Sequence, residues 1–219
     1  MKEFSNSTII IPTLNEEKNI GPLIKRLTLL YPKVNLIVAD DGSTDNTRSI
    51  AEEKAVVIDR TEKRIKGITA SVLDAAQQVM TENIIVMDAD FQHPPEKVGD
   101  IIRLLSKNDI VIAVREKVIG PWGPVRRLES RIATSLARLR VGKVRDPLSG
   151  FFGIKTGFLK NIDKTNFEQH CFKILFNMLK KTDRGTRIGY VLYDFDMRRS
   201  GESKIRKQHI WYFLKSLLR

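Results

Sequence analysis

One cysteine, Cys171, and three scattered histidines, His93, His170 and His209, are all that this 219-residue chain offers toward thiolate or imidazole chemistry. A lone cysteine excludes a disulfide framework and a cysteine metal cluster, and the histidines read as structural or solvated rather than as a zinc site. Long apolar runs are also missing, and none nears the roughly 20 residues that a membrane-crossing helix needs. The polar opening, Met1 to Ser7, and the early Pro12 do not make a secretory leader. The expectation is a chain soluble as it stands or through truncation, suited to a reducing cytosol. No internal repeat or low-complexity linker breaks it, and at 42% hydrophobic residues it can bury one substantial core.

Acidic charge is scarce in two places. From Lys117 to Arg145 there are 8 Lys/Arg against one acid, and from Arg198 to Arg219 there are 7 against one. Those stretches account for the whole net charge of +12, so the rest is close to neutral. A basic excess confined in this way points to a local anionic partner: phosphate, nucleic acid or anionic lipid.

Short apolar runs alternate with helical patterns through the first half. Strands are expected over Ser7 to Ile11, Asn35 to Ala39, Val56 to Asp59, Asn83 to Met87 and Ile110 to Val114. Helices are expected over Glu16 to Leu30, Thr44 to Lys54, Ile68 to Met80 and Pro94 to Lys107. Continuous apolar strands separated by helices predict a mainly parallel α/β sheet covered on both faces. Beyond it, Val125, Leu128, Ile132, Leu136 and Leu139 recur at helical spacing, which puts Arg127, Arg131 and Arg138 on the opposite, outward face. A buried helix from Phe167 to Lys180 and a strand from Ile188 to Tyr193 follow. Ile210, Phe213, Leu214 and Leu217, with Trp211 and Tyr212 and flanking Lys/Arg, form a basic amphipathic segment suited to a membrane interface. The domain reading is a catalytic domain over 1–204 and this segment over 205–219.

Three predicted strands end in acidic turns: Pro12-Thr13-Leu14-Asn15-Glu16, Asp40-Asp41-Gly42-Ser43 and Asp88-Ala89-Asp90-Phe91-Gln92. Ligands of open α/β sheets bind beyond the carboxyl ends of strands, so these turns face one crevice. Two carboxylates two residues apart, Asp88 and Asp90, can converge on a hard cation with the Gln92 amide oxygen, leaving coordination positions for diphosphate oxygens. Mg²⁺ or Mn²⁺ fits that donor set. A solvated turn or a helix cap accounts for the same residues without a metal. Asp40 and Asp41 can accept hydrogen bonds from a base or ribose, while Ser43 and Asp45 can cap the next helix.

With Asp146-Pro147-Leu148-Ser149-Gly150-Phe151, these turns occur in the order and spacing of inverting family 2 glycosyltransferases. The chain resembles the polyprenyl-phosphate sugar synthases of that family from about Thr8 to Lys204. It departs from the usual pattern at Leu14 for tyrosine, Thr69 for glycine, Phe152 for arginine and Leu192 for proline. The resemblance implies a GT-A-like, Rossmann-like fold. It implies nucleotide contacts from Pro12, Leu14, Glu16, Asp40, Asp41, Lys66 and Ala89, and a metal held by Asp88, Asp90 and Gln92. Arg115, Arg131, Ser135, Arg198 and Lys204 would meet the acceptor phosphate, and Asp90, Arg115, Arg131 and Arg198 would carry catalysis. The implied reaction moves a hexose, mannose first, from GDP-mannose or UDP-glucose to dolichyl phosphate at the cytoplasmic face of an anionic membrane.

Two other readings remain open at this level. A GT-A transferase acting on a glycan or protein hydroxyl would need a general base, and Glu168 is the one acid offered between Asn166 and Lys181. A basic nucleic-acid-binding protein would use the +12 charge. It leaves the three acidic turns unexplained and has no reader motif, so no nucleic-acid partner is expected.

Overall fold

The structure, a computed structural model, describes residues 4–119, 123–164, 167–170, 172–197, 199–200 and 207–218, with side chains left aside at 124–127, 207–210 and 218. Seven strands form one sheet: β1 (Ser7–Thr13), β2 (Asn35–Asp40), β3 (Val56–Asp59), β4 (Asn83–Val86), β5 (Ile110–Val118), β6 (Phe152–Lys155) and β7 (Ile188–Phe195). Their spatial order is β3-β2-β1-β4-β6-β5-β7. The helices are α1 (Glu17–Leu30), α2 (Thr47–Glu52), α3 (Ile68–Gln77), α4 (Val98–Leu105), α5 (Pro124–Val141), α6 (Thr156–Asn161), α7 (Ile174–Leu179) and α8 (Lys207–Leu218).

Alternate residues along the central strands serve opposite layers, as the two-residue strand period requires. Ile9, Ile11, Val38, Ile85, Val111 and Phe151 pack under α1 and α4, where Leu23, Leu27, Ile101 and Leu105 are buried. Ile10, Ile37, Ile84, Val86, Ile112 and Phe152 face α3 and α7 through Val72, Ala75, Leu175 and Met178. A strand with both faces covered has no polar alternation in its centre, which is why Ile9–Ile11 of β1 and Ile84–Val86 of β4 read as unbroken runs. Phe152, the residue standing in place of the family arginine, is fully buried in this second layer.

All pairings are parallel except those of β6, which runs against both β4 and β5. The carboxyl ends of β1, β2, β4, β5 and β7 therefore share one edge with the amino end of β6. The Asp146–Gly150 turn immediately precedes β6, so it lies at that edge with the three acidic turns.

Four elements differ from the sequence reading. β6 and α6 were not expected, since a four-residue strand containing Gly153 carries too short a pattern to read. Gly153 is there because α4 crosses it: a Cβ would lie 2.4 Å from Ile101. The helix expected from Phe167 to Lys180 shrinks to Ile174–Leu179. Its missing first half is tied down by tertiary bonds, with the Glu168 carbonyl accepting from Asn177 and Lys173 reaching the Leu148 carbonyl at 2.7 Å.

The apolar stripe of α5 faces outward, contrary to expectation. Leu128, Ile132 and Leu139 are 59%, 51% and 86% exposed, and the helix packs instead through Ala137 and the half-buried Ala133 and Val141 against Phe176 and Phe213. Small residues permit the close approach, so the large ones are left outside. Arg138 is not a free cation either: it donates to the carbonyls of Val144 and Arg145 and secures the turn after the helix. α8 is docked on α5 and α7 through Ala137 and Phe176, with Phe213 and Ser216 buried, while Trp211 and Leu214 are exposed. Lys180 donates to the Ser216 carbonyl at 2.7 Å, and the Ser216 hydroxyl donates to Asn177 at 2.9 Å. Among the described residues no helix is long and apolar enough to cross a membrane.

Candidate active site

From β1 the chain steps to β2 and β3 on one side, and β4 then pairs with β1 on the other. That reversal opens a crevice beyond β1 and β4 in which a ligand can sit. The first two predicted turns interlock on its β1–β2 side. Asp41 N–H donates to the Thr13 carbonyl at 2.9 Å, Asn15 N–H to the Ser43 hydroxyl at 2.8 Å, and Thr44 N–H to the Asn15 side chain at 2.8 Å. Asn15 adopts φ 52°, a left-handed backbone that asparagine tolerates better than most side chains.

Asp40 is fully buried and accepts from the Gly42 and Ser43 amides and from the Thr13 and Ser43 hydroxyls. Its oxygens shape the turn. Asp41 accepts from the Gly67 amide at 2.6 Å and pairs with Arg60. Burial raises its carboxyl above the usual range, against the pull of the Gly67 amide and of Arg60. Arg60, 1% exposed, also bonds Asp74 at 2.9 Å, Ser71 at 3.1 Å and the Ile65 carbonyl at 2.8 Å. The sequence reading missed Arg60; its one local signal is a cation directly after β3, next to Asp59, and its pairing with Asp41 is made by the fold. Lys66, expected at the nucleotide, directs its ammonium to the carbonyls of Asp41, Arg60 and Thr61. Glu16 lies at the start of α1, nearly buried, and accepts from Asn19 at 2.7 Å. Pro12 and Leu14 flank it half-buried.

Across the crevice, Asp88, Ala89 and Asp90 follow β4. Asp88 is partly exposed, whereas Ala89 and Asp90 are buried. Gln92 N–H donates to Asp90 Oδ1 at 3.0 Å, and Phe91 between them takes φ 65°. His93 Nδ1 accepts from the Asp88 amide at 3.0 Å. Burial pushes the imidazole down to about 4, so it is neutral at physiological pH. A divalent cation would find two carboxylates and one amide oxygen on a single turn. Among the described residues no group of three or more His, Cys, Asp or Glu closes a metal site. Such a site suits a hard ion that keeps positions for substrate oxygens.

Arg115, on β5, meets the turn before β6: its Nε lies 3.0 Å from Asp146 Oδ2 and its Nη2 3.3 Å from Oδ1. Burial works against the guanidinium charge, but Asp146 more than offsets it and the group stays above its ordinary range. Among the described residues two of its five N–H groups are used, and the others can serve an anion. Ser149 O–H donates to the Ala113 carbonyl at 2.7 Å, fixing this turn to β5. A segment after β7 crosses the same end: Arg199 N–H donates to the Asp90 carbonyl at 3.1 Å, Gln92 to the Asp196 carbonyl at 3.1 Å and Asn19 to the Ser200 carbonyl at 3.1 Å. Arg131 and Ser135 lie exposed on α5, with no described contact to these turns. Arg198 and Lys204 lie outside the described residues.

The model of "Glycosyl transferase family 2" matches residues 8–183, most of the chain. The chain belongs to that family. It is 32% identical to a dolichol-phosphate mannosyltransferase of Saccharomyces cerevisiae over 96% of its length and 85% of that protein's. It is 31% identical to a dolichol-phosphate mannosyltransferase of Pyrococcus furiosus over 97% of its length, but spans only 62% of that relative. In fold it matches glucosyl-3-phosphoglycerate synthase of Mycobacterium tuberculosis, solved with phosphoglyceric acid, at TM-score 0.71 and 23% identity, covering 96% of this chain and 79% of that one. The fold is therefore of the GT-A kind that the family resemblance implied, built on the mainly parallel α/β sheet that the alternating pattern predicted.

Proposed function

We propose that this family 2 transferase moves a hexose, mannose first, from a nucleoside-diphosphate sugar to a polyprenyl phosphate, inverting the anomeric centre, with Mg²⁺ or Mn²⁺ bound. The observation that carries this reading is the convergence on one sheet edge of the Asp88–Asp90 turn and the Arg115–Asp146 pair. The dolichol-phosphate mannosyltransferases to which the chain is similar support the choice of sugar and acceptor.

Asp88, Asp90 and Gln92 would hold the cation, which when bound supplies positive charge to the departing nucleoside diphosphate. Asp41, kept in place by Arg60 and Gly67, and Glu16, kept by Asn19, would meet the nucleotide with Pro12, Leu14 and Ala89. A phosphate monoester is already an anion near neutral pH, so its oxygen attacks the anomeric carbon without a protein base. What the chain must supply is a way to bring two anions together. Arg115 does this with a planar guanidinium whose remaining N–H groups grip phosphate oxygens, joined by Arg131, Ser135, Arg198 and Lys204.

The hydroxyl-acceptor alternative finds no free base in the one acid weighed for it. Glu168, the acid it would need, is buried beneath α8 with Lys215 at 3.7 Å. The outward apolar residues of α5, with Trp211 and Leu214 of α8 and the Lys/Arg around them, support seating on an anionic membrane, at what we propose is its cytoplasmic face.

The test is transfer of labelled sugar from GDP-mannose and from UDP-glucose, in parallel, to a short-chain polyprenyl phosphate in detergent with Mn²⁺ or Mg²⁺. Transfer from one donor names the sugar. Transfer from neither, with nucleotide binding intact, moves the assignment to a different acceptor.

A further inference from the structure

The last ladder bond of β4 is made by the Met87 amide to the Ile10 carbonyl at 3.2 Å. Asp88 is the first residue beyond it, so its N–H has left the sheet. A part-buried backbone donor in that position is costly when nothing accepts from it. His93 Nδ1 does so at 3.0 Å, closing the loop from residue 88 to residue 93 from the inside. Within that loop Asp90 Oδ1 receives the Gln92 amide, and the Phe91 backbone is held at φ 65°.

The imidazole is itself held on several sides. It stacks on Phe151 with centroids 5.1 Å apart and 19° between planes, and Tyr193 and Phe195 stand edge-on at 6.1 and 6.2 Å. Gly150 backs it, since a Cβ there would fall 3.2 Å from His93 Cε1 and 3.5 Å from Asp88 Oδ2. An Nδ1 that accepts an N–H carries no proton, so the ring is the Nε2–H tautomer. Packing that fixes the ring plane, joined to a bond from that ring to one backbone amide, makes a rigid link between the core and the acidic turn.

We propose that His93 is a positioning residue for the cation-binding turn. It never touches the metal, and through the Asp88 amide it sets the direction in which the Asp88 and Asp90 carboxylates point. This rests on the reading of that turn as the divalent-cation site.

A role in packing alone and a role in positioning predict opposite orders for two substitutions. His93→Phe fills the aromatic slot but offers no acceptor. His93→Asn is smaller, yet its Oδ1 lies as many bonds from the backbone as Nδ1 does and can accept from the Asp88 amide. The experiment titrates Mn²⁺ against the wild-type chain and both variants, with GDP and, in parallel, UDP, following free Mn²⁺ by electron paramagnetic resonance, with thermal melting of each protein beside it.

Positioning predicts that His93→Phe weakens Mn²⁺ binding at least tenfold with a small change in melting temperature. It predicts that His93→Asn stays within about threefold of wild type although it melts lower. Unchanged Mn²⁺ affinity in His93→Phe, or losses in both variants that follow their melting temperatures, overturns the proposal. Wild-type protein that binds no Mn²⁺ with either nucleotide overturns the cation site itself and the proposal with it.

Discussion

Arg115 and Asp146, on different elements and 31 residues apart, face each other through two hydrogen bonds of 3.0 and 3.3 Å at the mouth of the crevice. The pair orients the guanidinium and leaves part of its donor set for a second anion. Asp146→Asn leaves a mostly buried cation without its counter-charge, and removing one partner of a buried pair costs about 3–5 kcal/mol. The expected outcome is a lower melting temperature and a KM for the lipid phosphate raised at least tenfold, with nucleotide affinity close to wild type. Steady-state kinetics in both substrates, beside thermal melts, checks it.

The Arg60–Asp41 pair makes a second prediction, on the nucleotide side. Arg60→Met strips Asp41 of its cation and also abandons Asp74, Ser71 and the Ile65 carbonyl. A loss of about 3–5 kcal/mol in urea unfolding is expected, the order found when one member of a buried pair is removed. Nucleotide binding weakens with it. Lys66→Met, which removes a half-buried ammonium that donates to three carbonyls, should cost less in stability than Arg60→Met. Equal losses in the two variants would contradict the assignment of Arg60 as the anchor of this turn.

Much of this was legible from residues alone, and the reason is period. β1, β2 and β4 are buried on both faces and therefore carry the unbroken apolar runs Ile9–Ile11, Leu36–Ala39 and Ile84–Val86, while the turns after them need Asp, Gly and Ser for their geometry. Those signals are local. α5 was read inside out because periodicity reports that a helix has an apolar stripe and not what the stripe meets. Ala133 and Ala137 are small enough to let Phe176 and Phe213 approach, and that preference is set by the partner helices. Arg60 and His93 escaped for a related reason, since their roles depend on residues brought to them by the fold.

The outward face of α5 is predicted to meet lipid. Ile132→Asp combined with Leu139→Asp changes only exposed positions and should leave the melting temperature within a degree or two. Cosedimentation with vesicles containing anionic lipid should fall several-fold. Ala137→Leu, at a fully buried position, should do the reverse: the overpacked helix interface costs about 1–3 kcal/mol. Undiminished vesicle binding by the double variant would remove α5 from the membrane contact.

Acidity should act through the acceptor. The second ionisation of a phosphate monoester falls near pH 6, and no base on the protein takes part in the attack. kcat/KM for the lipid phosphate is expected to fall as pH drops below about 6 and to be level from about 7 to 9. A bell-shaped profile with a limb set by a protein group would count against this mechanism.

The most direct measurement sets two acceptors side by side with wild-type enzyme: a polyprenyl phosphate and the same polyprenol with a free hydroxyl, each with GDP-mannose and Mn²⁺. The account predicts glycosylated product from the phosphate alone, because the proposed site offers Arg115 for an anion and Glu168, the acid weighed as a base for an alcohol, is buried against Lys215. Product from the alcohol at a comparable rate would contradict it.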